Sequence, residues 1–214
     1  MKTSIKKLTV AVVALTAVAG VAQATLLSGS WSGTEDIPDG SAIGIANSLS
    51  ISDPGNANIQ DLSVNLDISG GYNGDLYGYL VFQPTGGGAA SMEVLLNQIG
   101  TESGNPFGSS GAGMDVTLSD SGTANGNIHN ATGVPIGVWQ PDSTSTLDST
   151  FTGSADGTWT LFLADLTAGA GAGQLVGWGV DISVVPEPVT WALVGFGVLV
   201  AASGVCRWLV LVRK

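Results

Sequence analysis

The sequence predicts an all-β, jelly-roll-like β-sandwich, flanked by an N-terminal signal-peptide helix and a C-terminal transmembrane helix. Three observations point there. The middle of the chain alternates apolar and polar residues in short runs separated by glycine-rich turns, the pattern of half-buried strands. Both ends are uncharged apolar stretches bordered by basic residues. All six Lys and Arg (Lys2, Lys6, Lys7, Arg207, Arg213 and Lys214) lie in those ends, whereas all 17 acidic residues fall between Glu35 and Glu187.

Taken in order, Lys2, Lys6 and Lys7 precede an apolar run at residues 8–21, and Ala22, Gln23 and Ala24 form a small-x-small cleavage site. This is the layout of a secretory signal peptide over residues 1–24, cut after Ala24. Residues 25–185 then have the length of one domain with its own core. In residues 59–68, Leu62, Val64, Leu66 and Ile68 take one face, and Asp61, Ser63, Asn65 and Asp67 take the other. Residues 70–74 are a turn cluster. Residues 75–82 form a second strand, broken by the glycines at 86–88, and residues 90–96 form a third. Residues 157–165 and 173–184 are strands expected to pair with each other. No segment between residues 28 and 184 shows a capped helical period. Residues 100–113, 119–136 and 167–173 are expected as loops. Many short strands with such turns suit a sandwich or jelly roll.

The last segment, residues 186–214, begins with Pro186, Glu187 and Pro188. An uncharged run follows at residues 189–206, and then Arg207, Arg213 and Lys214. As a helix the run reaches about 27 Å, near the roughly 30 Å of bilayer hydrocarbon. The prolines set its start. The basic residues on its far side place that end in the cytoplasm and everything before Pro186 outside. Cys206, the single cysteine, lies in this run, so no intramolecular disulfide can form.

The charge balance excludes some functions. The net charge is −11, and residues 25–185 carry no cation to displace the counterions of a phosphate backbone, so no nucleic acid is expected as a partner. His129 is the only histidine. It stands in a polar loop without a nucleophile elbow, and no catalytic residues are assigned. One His and one Cys do not make a zinc site. Asp36, Asp39, Asp75 and Asp165 stand near predicted strand ends. They are candidate ligands for Ca²⁺, which takes several carboxylate and carbonyl oxygens. The other reading is that they cap turns. Tyr72, Tyr77 and Trp139 are candidates for a sugar-stacking surface if exposed, or for core positions if not.

Two resemblances add to this. Val185, Pro186, Glu187, Pro188, Trp191, Ala192, Leu193, Gly195, Gly197 and the terminal basic residues resemble the PEP-CTERM sorting signal of Gram-negative bacteria. That resemblance implies an exosortase-type processing enzyme as a partner. It also implies passage through the inner membrane by the C-terminal helix, at least transient anchoring there, and delivery to the cell surface or an exopolysaccharide-containing matrix. An ordinary membrane anchor that nothing processes is the alternative. Here residues 208–212 continue apolar after Arg207, beyond where such tails usually stop.

The second resemblance covers residues 37–184. Ile37, Pro38 and Asp39, then residues 59–64, then Gly74, Asp75 and Leu76, then residues 83–86, resemble successive blocks of the P/Homo B domain. The closing blocks are residues 151–153, 157–161, Asp165 and 173–178. That domain is the jelly-roll sandwich following the catalytic domain of subtilisin-like proprotein convertases. Residues 70–71 are Gly where the family often has His, and residues 100–136 match poorly. The function expected is an exported, non-enzymatic protein of the cell surface or extracellular matrix. The alternatives are a calcium-dependent carbohydrate-binding module, or an accessory P domain working with a separate subtilisin-like serine protease.

Overall fold

A computed structural model describes residues 23–185, together with Gly195 and Gly197. The signal segment through Ala22, the sorting triplet Pro186, Glu187 and Pro188, and the rest of the proposed membrane span lie outside the described residues. Among the described residues no helix is long and apolar enough to cross a membrane.

Nine strands form two sheets. They are β1 (Thr25–Ile37), β2 (Ser41–Ile51), β3 (Asn58–Gly70), β4 (Leu76–Pro84), β5 (Ser91–Asn97), β6 (Gly113–Ser119), β7 (Ile136–Trp139), β8 (Gly157–Asp165) and β9 (Gly173–Val185). One sheet has the order β1-β9-β3-β6-β7 and the other β2-β8-β4-β5. Successive strands alternate between sheets, which is the jelly-roll winding. The exceptions are the antiparallel hairpin β4–β5 in the four-stranded sheet and β7, a short edge strand that runs parallel to β6. The helical pieces within residues 23–185 are α1 (Leu147–Thr150) and two single 3₁₀ turns, Asn73–Asp75 and Ile128–Asn130.

The expected alternation in β3 and β9 holds residue by residue. Leu62, Val64, Leu66 and Ile68 of β3 are buried, as are Trp178, Val180, Ile182 and Val184 of β9. The two strands pair antiparallel, with Val64 opposite Val180 and Leu66 opposite Trp178. From the other sheet come Leu76, Leu80, Phe82, Trp159, Leu161 and Leu163, all buried. Trp159 is the centre of this layer. It stacks on Phe82 with ring centroids 4.2 Å apart, and Phe151 leans on it at 5.2 Å. Its indole N–H donates to the Ala155 carbonyl at 3.2 Å, so the buried polar atom is satisfied.

One expected pairing is corrected. β8 and β9 are consecutive, but they lie in different sheets. β8 pairs with β2 and β4, and β9 with β1 and β3. The connection at residues 166–172 crosses between layers, so the buried faces of both strands meet across the core instead of side by side. Strands β1, β2, β6 and β7 were not foreseen. Asn47 of β2 bridges the layers. Its side chain accepts from the Trp178 indole at 2.8 Å and donates to Glu35 at 3.1 Å. At Gly44 the chain turns left-handed (φ 57°), where the pairing with β8 shifts register. A Cβ there would lie 2.2 Å from the Leu163 carbonyl oxygen, so only glycine fits the bulge.

Long loops are tied to the sandwich through Asn73 and Gly74. The buried Asn73 amide donates to the carbonyls of Gly113 at 2.9 Å and Gly133 at 3.1 Å. Gly74 lets the strand of loop at Phe107 pass so close that a Cβ would sit 2.1 Å from the Phe107 oxygen. This gives a physical reason for a glycine immediately before Asp75.

Replacing Trp159 by Ala removes the ring that Phe82 and Phe151 pack on. It should cost about 3–5 kcal/mol of unfolding free energy, read from urea denaturation. A loss below about 1 kcal/mol would show that the core does not close on this residue.

Candidate functional site

Three features gather near the end of the sandwich where β4 begins and β5 and β8 finish. They are a group of aspartates, a histidine–aspartate pair and a strip of aromatic rings.

Three of the four candidate aspartates come together. Asp39 sits in the β1–β2 turn, Asp75 just before β4 and Asp165 at the end of β8. Asp75 and Asp165 are buried, Asp165 fully. The register explains their approach, because Asp165 pairs with Leu76 in β4 and with Ser41 in β2. Loop 166–172 folds over them. The Thr167 amide donates to Asp165 Oδ1 at 3.2 Å, and the Thr167 hydroxyl bonds Asp75. The Gly169 amide is shared by both oxygens of Asp39 at 3.1 Å. Asp165 Oδ2 is buried without a hydrogen-bond partner. Asp36 does not join them. Its carboxylate accepts from the Gln174 amide at 2.7 Å on the β1–β9 pair.

Burial raises the pKa of Asp75. The Thr167 hydroxyl opposes that shift, and the Asp165 and Asp39 charges add to it. Asp165 is also raised, first by burial; the Thr167 and Gly40 amides lower it, and the Asp39 charge raises it. Both carboxyls are therefore easier to protonate in the fold than in the unfolded chain. They favour the fold most at acid pH, and that contribution is lost as pH climbs from the ordinary value of 3.8 through the raised ones. Among the described residues no three His, Cys, Asp or Glu side chains are grouped closely enough to hold a metal ion by themselves.

His129 lies in the second 3₁₀ turn, held there by its amide bonding the Asn127 side chain at 2.7 Å. Its Nδ1 faces Asp142 Oδ2 at 2.7 Å, and its Nε2 faces the Thr101 carbonyl at 3.0 Å. Both partners are acceptors, so the doubly protonated ring satisfies both. A cavity of about 350 Å³ opens beside it, lined by Gly100, Glu102, Asn105, Ser109 and Gly133 among others. A His–Asp pair near serines suggests nucleophilic catalysis. Here the ring nitrogen that would take a serine proton is already bound to a carbonyl. The pair instead fastens the loop at Thr101 to the loop at Asp142. Nothing in the sequence marked this pairing, since the two residues meet only through loop folding.

The aromatic strip lies on the outer face of the four-stranded sheet. Tyr77 and Tyr79 alternate with the buried residues of β4, and Phe162 alternates with those of β8. Tyr79 and Phe162 are direct cross-strand partners. Their rings stack with centroids 4.6 Å apart and planes at 16°. Tyr77 meets Tyr79 edge-on at 6.0 Å and stands opposite Asn97 of β5. Of the expected stacking residues, Tyr77 is here, while Trp139 is not. Trp139 belongs to β7 of the other sheet, packs partly against the core and donates to the Ile136 carbonyl at 2.9 Å. Tyr72 stands before the first 3₁₀ turn, half-buried. Tyr79 and Phe162 were legible in principle, because they share outward parity with Tyr77 and Thr160.

The fold defined by this winding is a jelly-roll β-sandwich. No family model matches the chain. No curated protein matches it either. Among solved structures the chain is similar to the crystal structure of an Aeromonas sobria serine protease and chaperone complex. The identity is 15% and the TM-score 0.45, with 77% of this chain and 28% of that chain covered. It is similar also to the crystal structure of the serine protease of Aeromonas sobria, at 17% identity and a TM-score of 0.44, covering 76% and 27%. The chain thus spans under a third of the length of either.

The His129 pair makes a pH prediction. Burial lowers its pKa, but the Asp142 carboxylate and the Thr101 carbonyl raise it further, leaving it above the ordinary 6.5. Its contribution is complete below the unfolded value and lost as pH rises through the folded one. In a ring-proton NMR titration, His129 should titrate above 6.5, and Asp142→Asn should bring the midpoint down. A midpoint at or below the ordinary value in the native protein would refute the ion pair.

Proposed function

We propose that this chain is an exported, non-enzymatic protein of the cell surface or extracellular matrix, carried there by its PEP-CTERM-like tail. The observation that carries the reading is the order within residues 185–214: Pro186, Glu187 and Pro188, then an apolar run, then basic residues. The charge distribution supports it, because no Lys or Arg occurs between Lys7 and Arg207. So does the site geometry. The sole histidine has both ring nitrogens engaged, leaving no free base beside a nucleophile. The inner membrane, an exosortase-type enzyme and an exopolysaccharide are the partners that follow.

The test is mass spectrometry of the protein recovered outside the cell. It should begin at Thr25 and lack most residues after Pro188. Intact Arg213 and Lys214 on the exported form would instead make the tail a plain anchor.

Calcium belongs to the same reading. The buried, partnerless Asp165 Oδ2, close to two further carboxylates, is an oxygen that a cation would satisfy. With only Asp75 and Asp165 buried there, carbonyls and water would have to complete the shell. Millimolar Ca²⁺ should raise the melting temperature more than NaCl of equal ionic strength, which acts by screening alone. Asp75→Asn should remove the calcium-specific part. Equal effects of the two salts would leave these aspartates as turn residues whose repulsion is relieved by proton uptake.

An accessory P domain acting with a separate subtilisin-like protease is the second reading. It is favoured by where the resembling blocks fall. Gly74 and Asp75 form the turn that leads into β4 at Leu76, Trp159 centres the core, and Asp165 closes β8.

A further inference from the structure

The outer face of the four-stranded sheet differs from that of the five-stranded one. On the five-stranded sheet the outward positions of β3, β6 and β9 are Ser63, Asn65, Asp67, Asp115, Thr117 and Asp181, a polar surface. On the four-stranded sheet the outward row is Tyr77, Tyr79 and Phe162, half-exposed and stacked. Aromatic rings on an open sheet face bury less area than they would in a core. Their presence in a row calls for something to cover them.

From this geometry we propose that the Tyr77–Tyr79–Phe162 strip is a binding site for a neutral polysaccharide. Two grooves meet at Tyr77. One, of about 410 Å³, is lined by Ala42, Tyr77, Tyr79, Asn97, Phe162 and Leu166 among others. The other, of about 320 Å³, runs past Tyr77 and Asn97 to Glu93, Asp142, Ser143 and Thr144. Together they make a path along the sheet that suits a chain better than a single small molecule. The rings offer flat apolar surface for the C–H face of a pyranose. Around them stand groups that bind hydroxyls. The phenols of Tyr77 and Tyr79 and the amide of Asn97 have no hydrogen-bond partner among the described residues, and Asn97 borders both grooves. A few convergent polar groups on an apolar floor give a site its orientation and selectivity.

Charge narrows the ligand. No Lys or Arg occurs in residues 23–185, and the groove beyond Tyr77 carries Glu93 and Asp142. Asp142 is taken by His129, but Glu93 is bonded only to hydroxyls. An acidic polysaccharide would therefore meet like charge there with no Lys or Arg to offset it, whereas a neutral one would not. A lipid surface fits less well, because anionic headgroups would meet the same carboxylates. The site gives the carbohydrate-binding alternative a location, and it needs neither calcium nor the export reading.

The test is isothermal titration calorimetry of the protein, in EDTA and in a parallel series with Ca²⁺, against cellohexaose, maltohexaose and mannohexaose, with oligogalacturonate as the acidic control. At least one neutral hexasaccharide should bind and the acidic one should not. Tyr79→Ala should weaken binding by about tenfold or more. Asn97→Ala, at an exposed position, should also weaken it. Val138→Ala, exposed on the far sheet, should not. Binding that is absent for all three neutral chains overturns the proposal. So does binding equally strong in Tyr79→Ala and Asn97→Ala, or preference for the acidic chain. A dimer that Phe162→Ala dissociates would overturn it in favour of self-association. Binding seen with Ca²⁺ but absent in EDTA would move the ligand to the aspartate end and overturn it as well.

Discussion

Every carboxylate in residues 23–185 must be accommodated without an ammonium or guanidinium group. The only cation within reach is His129, which takes Asp142. Most of the other acids are bonded to the backbone or to neutral side chains. Asp53 accepts from the amides of Gly55 and Ala57. Asp120 accepts from the first two amides of α1, at Leu147 and Asp148. Asp148 reaches back to the Leu62 amide at 3.0 Å, tying α1 to β3. Glu93 takes the hydroxyls of Ser143 and Thr150, tying the same segment to β5. Hydrogen bonds to charged groups contribute about 1.5–3 kcal/mol each, more than a surface ion pair usually does. The acidic residues therefore act as loop staples in a domain that has no disulfide.

This constraint explains why the raised pKa values fall where they do. Asp148 is raised by burial and then by the nearby Asp120 and Asp61 charges, with the Leu62 amide opposing. Asp75 and Asp165 follow the same rule. Each is a staple that another staple crowds. A chain with lysines on this surface would relieve the crowding by pairing. This one can relieve it only by protonation, by screening or by binding a cation.

The legible and illegible parts of the fold separate by what faces inward. β3, β4, β5, β8 and β9 show in the sequence because most of their inward positions are Leu, Val, Ile, Phe or Trp. β1 does not, since its inward row includes Gly29 beside Leu27 and Trp31, and its outward row is Ser28, Ser30 and Ser32. In β2 an inward Asn47 breaks the apolar period, and its role appears only once Trp178 and Glu35 are seen beside it. β7 is an edge strand with outward Ile136 and Val138, so its pattern cannot announce a core. The β8–β9 pairing failed for a topological reason. Neighbours in sequence usually pair, but jelly-roll winding sends consecutive strands to opposite sheets. At the site, carboxylates near strand ends were a sufficient signal for Asp39, Asp75 and Asp165. Asp36 shared that signal and points elsewhere, because position along a strand does not determine which end-loop a side chain meets.

The aspartate end and the aromatic strip share elements. β4 starts at Leu76, next to Asp75, and runs through Tyr77 to Tyr79, and β8 runs through Phe162 and Ala164 to Asp165. Leu166 borders the groove, and its amide is held by the Asp75 carbonyl at 2.9 Å. The loop that closes over the carboxylates is thus the same segment that ends the groove. Tyr77 lies one strand pair from Leu76, whose partner is Asp165 itself. Because side chains alternate faces along a strand, Asp165 and Phe162 of β8 face opposite sides of the sheet. What the two features share is the backbone of β4 and β8. The strand registers that bring the carboxylates together are therefore also what keep Tyr79 and Phe162 in stacking distance.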